Sequence, residues 1–343
     1  MANPNDPPIS YATLTVATCN VLNLALPGRD FYPGQDPYST GEYERKVAWL
    51  GERIQTLNAD VLAVQEVWDE AALVEAVKRS GLRYTYVGVP GAENGPGLLG
   101  AQGTPRVGLI TRLAVESVES LVDFPPQAVV DVPGLGLYKR FERPPLYATL
   151  RLKNGPCLHV ITAHFKSKRP KLLNGEEGRA AEERDDPNAQ AVGSLRSLIM
   201  RGAEALAVRM KVVDILERTR EPLVMMGDLN DSPHSVTTQL VANTSQVAYD
   251  RGAYDTALFS AWDVQGDAAL RRDVAFSHIH QGYPEVLDQI LVSEEFTAKS
   301  RRAIGEVKRV EVFNDHLFEG RSRVKSDHGF VRALIRWEQQ HSA

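Results

Sequence analysis

The sequence predicts an α/β fold in which packed β-sheets carry helices on their outer faces. Three observations predict it: short apolar, β-branched runs recur along the 343 residues, only a few segments have helical spacing, and strand-like and helix-like segments alternate through the first third of the chain. With 43% hydrophobic and 24% charged residues, the composition is that of an ordinary globular chain and excludes the disordered, collagen-like and membrane classes.

Taken in order, YATLTVATCNVLNL at 11–24 is rich in β-branched residues, lacks interior Gly or Pro, and reads as a strand ending at Asn20 or soon after. Residues 42–58 place Val47, Leu50, Ile54 and Leu57 at helical spacing, with charges on the other face. DVLAVQEV at 60–67 is a short apolar run of the kind that forms a buried strand and delivers Glu66 at its end. A helix near 69–80, a strand near 83–89, a Gly/Pro-rich loop at 90–105 and the strand VGLITR at 107–112 follow. Later strands are expected at 147–152, 157–165, 222–228, 286–293 and 329–337.

The stretch 168–193 is charged, punctuated by Gly and Pro, and without aliphatic periodicity, so it reads as a long mobile insertion. Residues 194–218 then give a strong helix signal, opened by Ser194 as cap and carrying Leu195, Leu198, Ile199, Leu206, Met210, Val213 and Leu216. No internal repeat or linker divides the chain, which favours one domain over 1–343.

A formal net charge of −5 offers no general attraction for nucleic acid or acidic membranes, so any anion binding must be local. Cys19 and Cys157 are far apart and lie in apolar runs, where buried free thiols are expected rather than a zinc cluster or disulfide. The chain begins without a basic-then-apolar leader and has no run of 18 apolar residues. It reads as soluble, either cytoplasmic or the mature form of an exported protein.

Asn20, Glu66, His164, Asp228, Asn230, Asp288, Asp327 and His328 each end or directly follow a strand-like run, in six separate segments. A lone Asp after a strand is usually a turn or cap residue. Several carboxylates and imidazoles at strand ends, however, converge on one rim of a sheet, which core packing does not explain.

The motifs TCNVLNL (18–24), VQEV (64–67), TAHFKSK (162–168), GDLND (227–231), LDQILVS (287–293) and SDHGFV (326–331) stand in the order found in the endonuclease/exonuclease/phosphatase superfamily, which the chain resembles over almost its whole length. The resemblance implies a four-layer αββα sandwich of two mixed sheets and divalent-metal-dependent hydrolysis of a phosphodiester by an activated water. It implies Mg²⁺ or Mn²⁺ held by Glu66, with Asn20 and Asp327 in or near its shell; hard oxygen ligands suit such ions. It makes Asp228 the group that orients or deprotonates the water, Asn230 a holder of phosphate or water, and His164 and His328 the imidazoles on either side of the phosphate. Asp288 pairs with His328, and an adjacent carboxylate keeps an imidazole cationic.

Arg112, Arg143 and Arg201 are each candidates to grip phosphate, with surface salt bridges equally expected. His278 and His280 form an HxH that faces one side of a strand, read as neighbours of the site rather than as a metal pair. Lys166, Lys168, Arg169 and Lys171 follow His164, and Arg321, Arg323 and Lys325 precede Asp327; the two cationic segments suggest an anionic substrate. Ser326 has no nucleophile context.

Within the superfamily, HFKSK followed by a charged insertion and a helix looks most like bacterial nucleases, and nucleic acid is a candidate substrate. The alternative is a phosphomonoesterase or a lipid or inositol phosphoesterase. Against it, EVLDQILVS lacks the Pro-x-Trp-Cys-Asp-Arg pattern of inositol 5-phosphatases. Asp-Gln at 288–289 and His at 164 also disfavour abasic-site repair. A non-catalytic binding module is the third reading, opposed by the intact residue set.

Overall fold

The computed structural model describes residues 10–32, 34–91, 103–175, 181–266, 274–320 and 322–339. Its strands are β1 (Tyr11–Leu24), β2 (Val61–Val67), β3 (Tyr86–Gly88), β4 (Arg106–Thr111), β5 (Ala114–Ser120), β6 (Val130–Val132), β7 (Gly136–Tyr138) and β8 (Leu146–Arg151). They continue as β9 (Cys157–His164), β10 (Leu223–Asp228), β11 (Phe259–Ser260), β12 (His278–His280), β13 (Tyr283–Glu285), β14 (Asp288–Val292), β15 (Gly305–Phe313) and β16 (Phe330–Glu338). The principal helices are α1 (Thr40–Leu57), α2 (Glu70–Arg79), α3 (Pro187–Thr219) and α4 (Val236–Ala242).

Twelve strands form two six-stranded mixed sheets, ordered β15-β16-β1-β2-β4-β3 and β11-β14-β10-β9-β8-β5, while β12-β13 and β6-β7 are separate hairpins. Each large sheet has one parallel pair at its centre, β1 with β2 and β9 with β10, flanked by antiparallel neighbours. The central strands are buried on both faces, as their apolar sequences predict. Along β2, Val61 and Ala63 enter the core between the sheets, where they meet Ala148, Val160 and Val224. Leu62 and Val64 point the other way, to Val47 and Leu50 of α1 and Leu73 of α2. On the second sheet, Ile161 and Met225 pack against Met200, Val208 and Val212 of α3. The layers therefore run helix, sheet, sheet, helix, the expected αββα sandwich.

Three expectations need correction. The helix expected at 194–218 starts at Pro187, where the Asp186 side chain accepts from the Asn188 N–H. Ser194 is not its cap; its hydroxyl bonds back to the Gln190 carbonyl inside the helix. The first two turns escaped notice because their buried face is built from Ala189, Gly193, Arg196 and Ser197 rather than aliphatic residues. The 168–193 segment is thus helical from Pro187, and before that it is tied to the helix by Glu182 with Arg196 at 2.6 Å and Lys171 N–H with the Gly193 carbonyl. Its residues 176–180 lie outside the described residues, as do 92–102 of the Gly/Pro-rich loop and Arg321.

β1 also continues past Asn20 to Leu24, through Leu22 and Asn23 in left-handed backbone and a shift of register against β2. The edge strands β5 and β15 were not anticipated. Both carry charges on a half-exposed face, and β15 is interrupted by a register shift between Val307 and Arg309 that breaks its alternation. Cys19 and Cys157 are buried free thiols, as read from the sequence. No helix among the described residues is long and apolar enough to cross a membrane.

Candidate active site

The register of the two sheets brings the polar strand ends together. In the second sheet Asp228 is paired in register with His164 of β9 and with Asp288 of β14, so three candidate site residues stand abreast at one edge. Gly227 makes that possible: at φ +150 its α-carbon lies so close to β9 that an added Cβ would sit 1.9 Å from the Ala163 carbonyl oxygen. Only glycine permits this approach. The first sheet contributes Asn20 from β1 and Glu66 from the end of β2, with His328 entering just before β16.

Glu66 takes a left-handed backbone, φ +63, at a break in the β2–β4 register. For a non-glycine residue this costs about 1–3 kcal/mol and must be held by its surroundings. The Asn23 N–H donates to one carboxylate oxygen at 3.1 Å and the Asn20 amide donates to the other at 3.2 Å. The same Asn20 nitrogen donates to Asp228 Oδ2 at 3.1 Å, while its oxygen accepts from the Leu22 N–H. Asn20 therefore presents a donor, not an oxygen, to the two carboxylates. Asp327 is exposed at the rim, where its charge is felt by His328 and by Lys46.

Asp228 sits at the focus, with His164 Nε2 at 3.3 Å and His328 Nε2 at 3.8 Å from its Oδ2. Burial raises its pKa, but the two imidazoles and the Asn230 N–H outweigh that and hold the carboxyl well below the usual range. Its Oδ1 accepts from the Asn230 N–H at 2.9 Å in an Asx turn, and Asn230 itself donates to the Phe165 carbonyl. The helix that follows, α4, is capped by Ser235, whose side chain accepts from the Thr238 N–H.

The two imidazoles differ in state. His328 Nδ1 lies 2.7 Å from Asp288 Oδ2. Burial lowers its pKa, yet Asp288 and Asp228 raise it well above the ordinary histidine value, as expected of a cationic group. His164 goes the other way. Burial and the guanidinium of Arg143, whose Nη1 is 3.0 Å from His164 Nε2, lower its pKa against the pull of Asp228. On that side the positive charge belongs to Arg143, which also donates to the Phe165 carbonyl at 2.7 Å.

The other basic candidates sort by partner. Arg112 binds Asp60 and Asn58, away from the rim, and Arg201 binds Asp231 and the Lys166 carbonyl beneath it. Lys168 pairs with Glu285, Lys171 with Glu142, Arg323 with Glu42 and Lys325 with Glu319, so these cations are largely committed to carboxylates rather than offered to a substrate. Ser326 donates to the Asn20 carbonyl and accepts from the His328 N–H, a loop-fixing role. His278 forms a β-bridge with His328, their ring centroids 4.9 Å apart.

Lys46 is a residue that the sequence reading missed. It is fully buried, donates to the Arg323 carbonyl at 3.2 Å, and is pushed down to about 7 by burial, against the opposing pull of Glu66 and Asp327. Its position was visible in principle: Lys46, Leu50 and Ile54 are spaced by four, which puts a lysine on the apolar stripe of α1.

A two-sheet sandwich with carboxylates, imidazoles and an arginine along one rim belongs to the phosphoester hydrolases. The family model described as the Endonuclease/Exonuclease/phosphatase family matches residues 17–328, and the chain belongs to that family. Solved structures share the fold. One is an endonuclease/exonuclease/phosphatase family protein from Bacteroides thetaiotaomicron, at TM-score 0.58 and 14% identity over 98% of this chain and 100% of that one. A second is the mannosyl-6-phosphatase Bt3783 of the same organism, at 0.55 and 15% over 94% and 99%. A third is TDP2 from C. elegans, at 0.53 and 16% over 94% and 75%. No curated protein sequence matches the chain.

Family members generally depend on divalent metal. Ligand atoms of Asp228, Asp288 and His328 lie within 4.8 Å of one another and could together hold an ion.

Proposed function

We propose that this phosphoesterase hydrolyses phosphodiesters, with nucleic acid or a nucleotide as the substrate class. The observation that carries the reading is the position of Asp228, a buried carboxylate whose Oδ2 lies 3.3 Å from His164 Nε2 and 3.8 Å from His328 Nε2, with its pKa held down and that of His328 held up. An ionised carboxylate can take the proton of an attacking water, while His328 donates to a non-bridging oxygen as negative charge grows there. Asp288 holds His328 in that state, and Arg143 supplies the second positive charge. Glu66, Asp228, Asp288 and Asp327 bring four carboxylates to the rim, with His328, Arg143 and the buried Lys46 near them. Such an acidic surround repels a dianionic monoester more than a monoanionic diester.

The donor set fits Mg²⁺ or Mn²⁺. Glu66, half-buried and strained into the rim, would hold the ion, with the exposed Asp327 as a second candidate ligand, and Asn20 would orient Glu66 rather than ligate. An ion bound there would neutralise the phosphate and stabilise the departing oxygen. The Asp228–Asp288–His328 group suits an ion less well, because Asp288 and Asp228 favour the protonated His328, and a protonated imidazole has no lone pair to offer a metal.

A second reading, a phosphomonoesterase or a lipid or inositol phosphoesterase, is supported by the fold likeness to the mannosyl-6-phosphatase. Purified protein with Mg²⁺ or Mn²⁺, assayed on plasmid DNA, RNA, bis-p-nitrophenyl phosphate and p-nitrophenyl phosphate, separates the two. Faster turnover of the diesters, abolished by EDTA and restored by metal, is expected. Faster turnover of the monoester would overturn the first reading, and Glu66→Gln should raise the metal concentration needed for half-maximal rate.

A further inference from the structure

The hairpin β12–β13 stands apart from both large sheets, yet it is pinned to the catalytic rim at several points. His278 bridges to His328, the Ser277 hydroxyl accepts from the Leu287 and Asp288 N–H groups, the Gly329 N–H donates to the Ser277 carbonyl, and Glu285 pairs with Lys168 at 2.9 Å. Its turn is two residues long, Gln281 at φ +48 and Gly282 at φ +86, the tight type that fixes register without slack. The register sets His278 opposite Glu285 and His280 opposite Tyr283. Residues two apart on a strand, and residues directly opposite across a pair, share one face. One face of this hairpin therefore carries His278, Glu285, His280 and Tyr283.

On that face the rings run outward from the reaction centre. His328 and His278 have centroids 4.9 Å apart, and His278 and His280 are stacked at 6.4 Å with planes 23° apart. His280 is exposed, and Tyr283 is 74% exposed. A hairpin this firmly tied at its base presents its outermost ring pair at a fixed place, roughly 7 Å further along the strand than His278.

We infer that the His280–Tyr283 pair is a stacking subsite for the base of a nucleotide whose phosphate is held between His164 and His328. The inference rests on the phosphoester-hydrolysing reading of the rim, and it names the substrate class. The flat face of any base can stack on an aromatic ring, and His and Tyr both serve in this way. The sugar between phosphate and base spans the step from His328 out to the pair. His278, covered between the two, packs against the ring of His328 and closes that side of the pocket.

The test uses two pairs of esters that differ only in the presence of bases. The diester pair is a thymidine dinucleotide and its analogue with both bases replaced by hydrogen; the monoester pair is thymidine 5′-monophosphate and 1,2-dideoxyribose 5-phosphate. The parent enzyme should prefer the base-bearing member by about tenfold in kcat/KM, mainly through KM. In His280→Ala/Tyr283→Ala that ratio should fall close to one, and Tyr283→Phe should keep it. Because the base-free ester is the internal reference, a partly misfolded variant lowers both members and leaves the ratio alone.

A ratio near one in the parent, or a preference that survives the double substitution, overturns the subsite. Turnover confined to the monoester pair overturns the diester reading, while the subsite is judged on that pair. Turnover of neither pair overturns both.

Discussion

The two ends of strand β9 hold the same kinds of residue and do different things. At its C-terminal end His164 lies against Asp228 and Arg143; near its N-terminal end His159 lies between Tyr147 and Glu221, with Cys157 and Glu116 beside it. Both imidazoles are 3% exposed, so burial does not distinguish them. Hydrogen bonding does. His159 uses both ring nitrogens, Nδ1 with the Tyr147 hydroxyl at 2.8 Å and Nε2 with Glu221 at 3.1 Å, and its carboxylate partner reaches water. At the other end His164 Nδ1, Asp288 Oδ1 and Arg143 Nε are buried without a hydrogen-bond partner among the described residues. A buried polar atom left unsatisfied costs about 1–3 kcal/mol. Of the two ends of β9, this is the one that leaves such atoms among the described residues, where a substrate and an ion would supply the missing partners.

The largest effect should come from removing the groups at the unsatisfied end. Asp228→Asn and His328→Ala should each lower kcat by ~10²–10⁴-fold with little change in KM, measured at saturating metal. A loss confined to KM would make these residues binding groups and dissolve the contrast with His159.

Asp288 sharpens the comparison, because it acts through its neighbour. If its role is to hold His328 cationic, Asp288→Asn/His328→Ala should be hardly slower than His328→Ala alone, so the free-energy losses do not add. Multiplying losses would show Asp288 working on its own.

The pH profile follows from the same pair. The folded-state pKa of His328 is raised, so its protonated form, and the stability it contributes, is fully present below the ordinary histidine value near 6.5 and is lost as pH rises through the raised value. Activity should therefore fall on the alkaline side, and Asp288→Asn should move that fall to lower pH. An unmoved alkaline limb in that variant would assign it to some other group.

The smallest effect on activity is expected at the satisfied end. His159→Ala should leave kcat unchanged while lowering stability by about 1–3 kcal/mol, read from thermal or denaturant unfolding. Loss of turnover without loss of stability would mean that the two ends of β9 are not as different as their hydrogen bonding makes them.

The sequence by itself determined an α/β fold of packed sheets with helices outside, because strands buried on both faces and helices with one apolar stripe have patterns local enough to read, while the order of six motifs carried the resemblance that implied the αββα layering. It also pointed to the residues that meet at the rim, although the structure puts only Glu66, His164 and Asp228 at or next to the last residue of a strand, with Asn20 inside β1, Asp288 opening β14 and His328 just before β16. Tertiary structure alone decided their states. Whether an imidazole is cationic depends on what faces it from other elements: Asp288 across 40 residues for His328, Arg143 from the segment before β8 for His164. It decided that most of the basic residues near the rim are neutralised, that Lys46 is buried behind Glu66, and that Asn20 points a donor at two carboxylates. It placed the HxH of β12 beside His328, through a β-bridge and the bonds of Ser277. Periodicity records which face of an element is buried, but charge state and hydrogen-bond partner are set by distances between residues far apart in the chain, and those exist only once the sheets have packed.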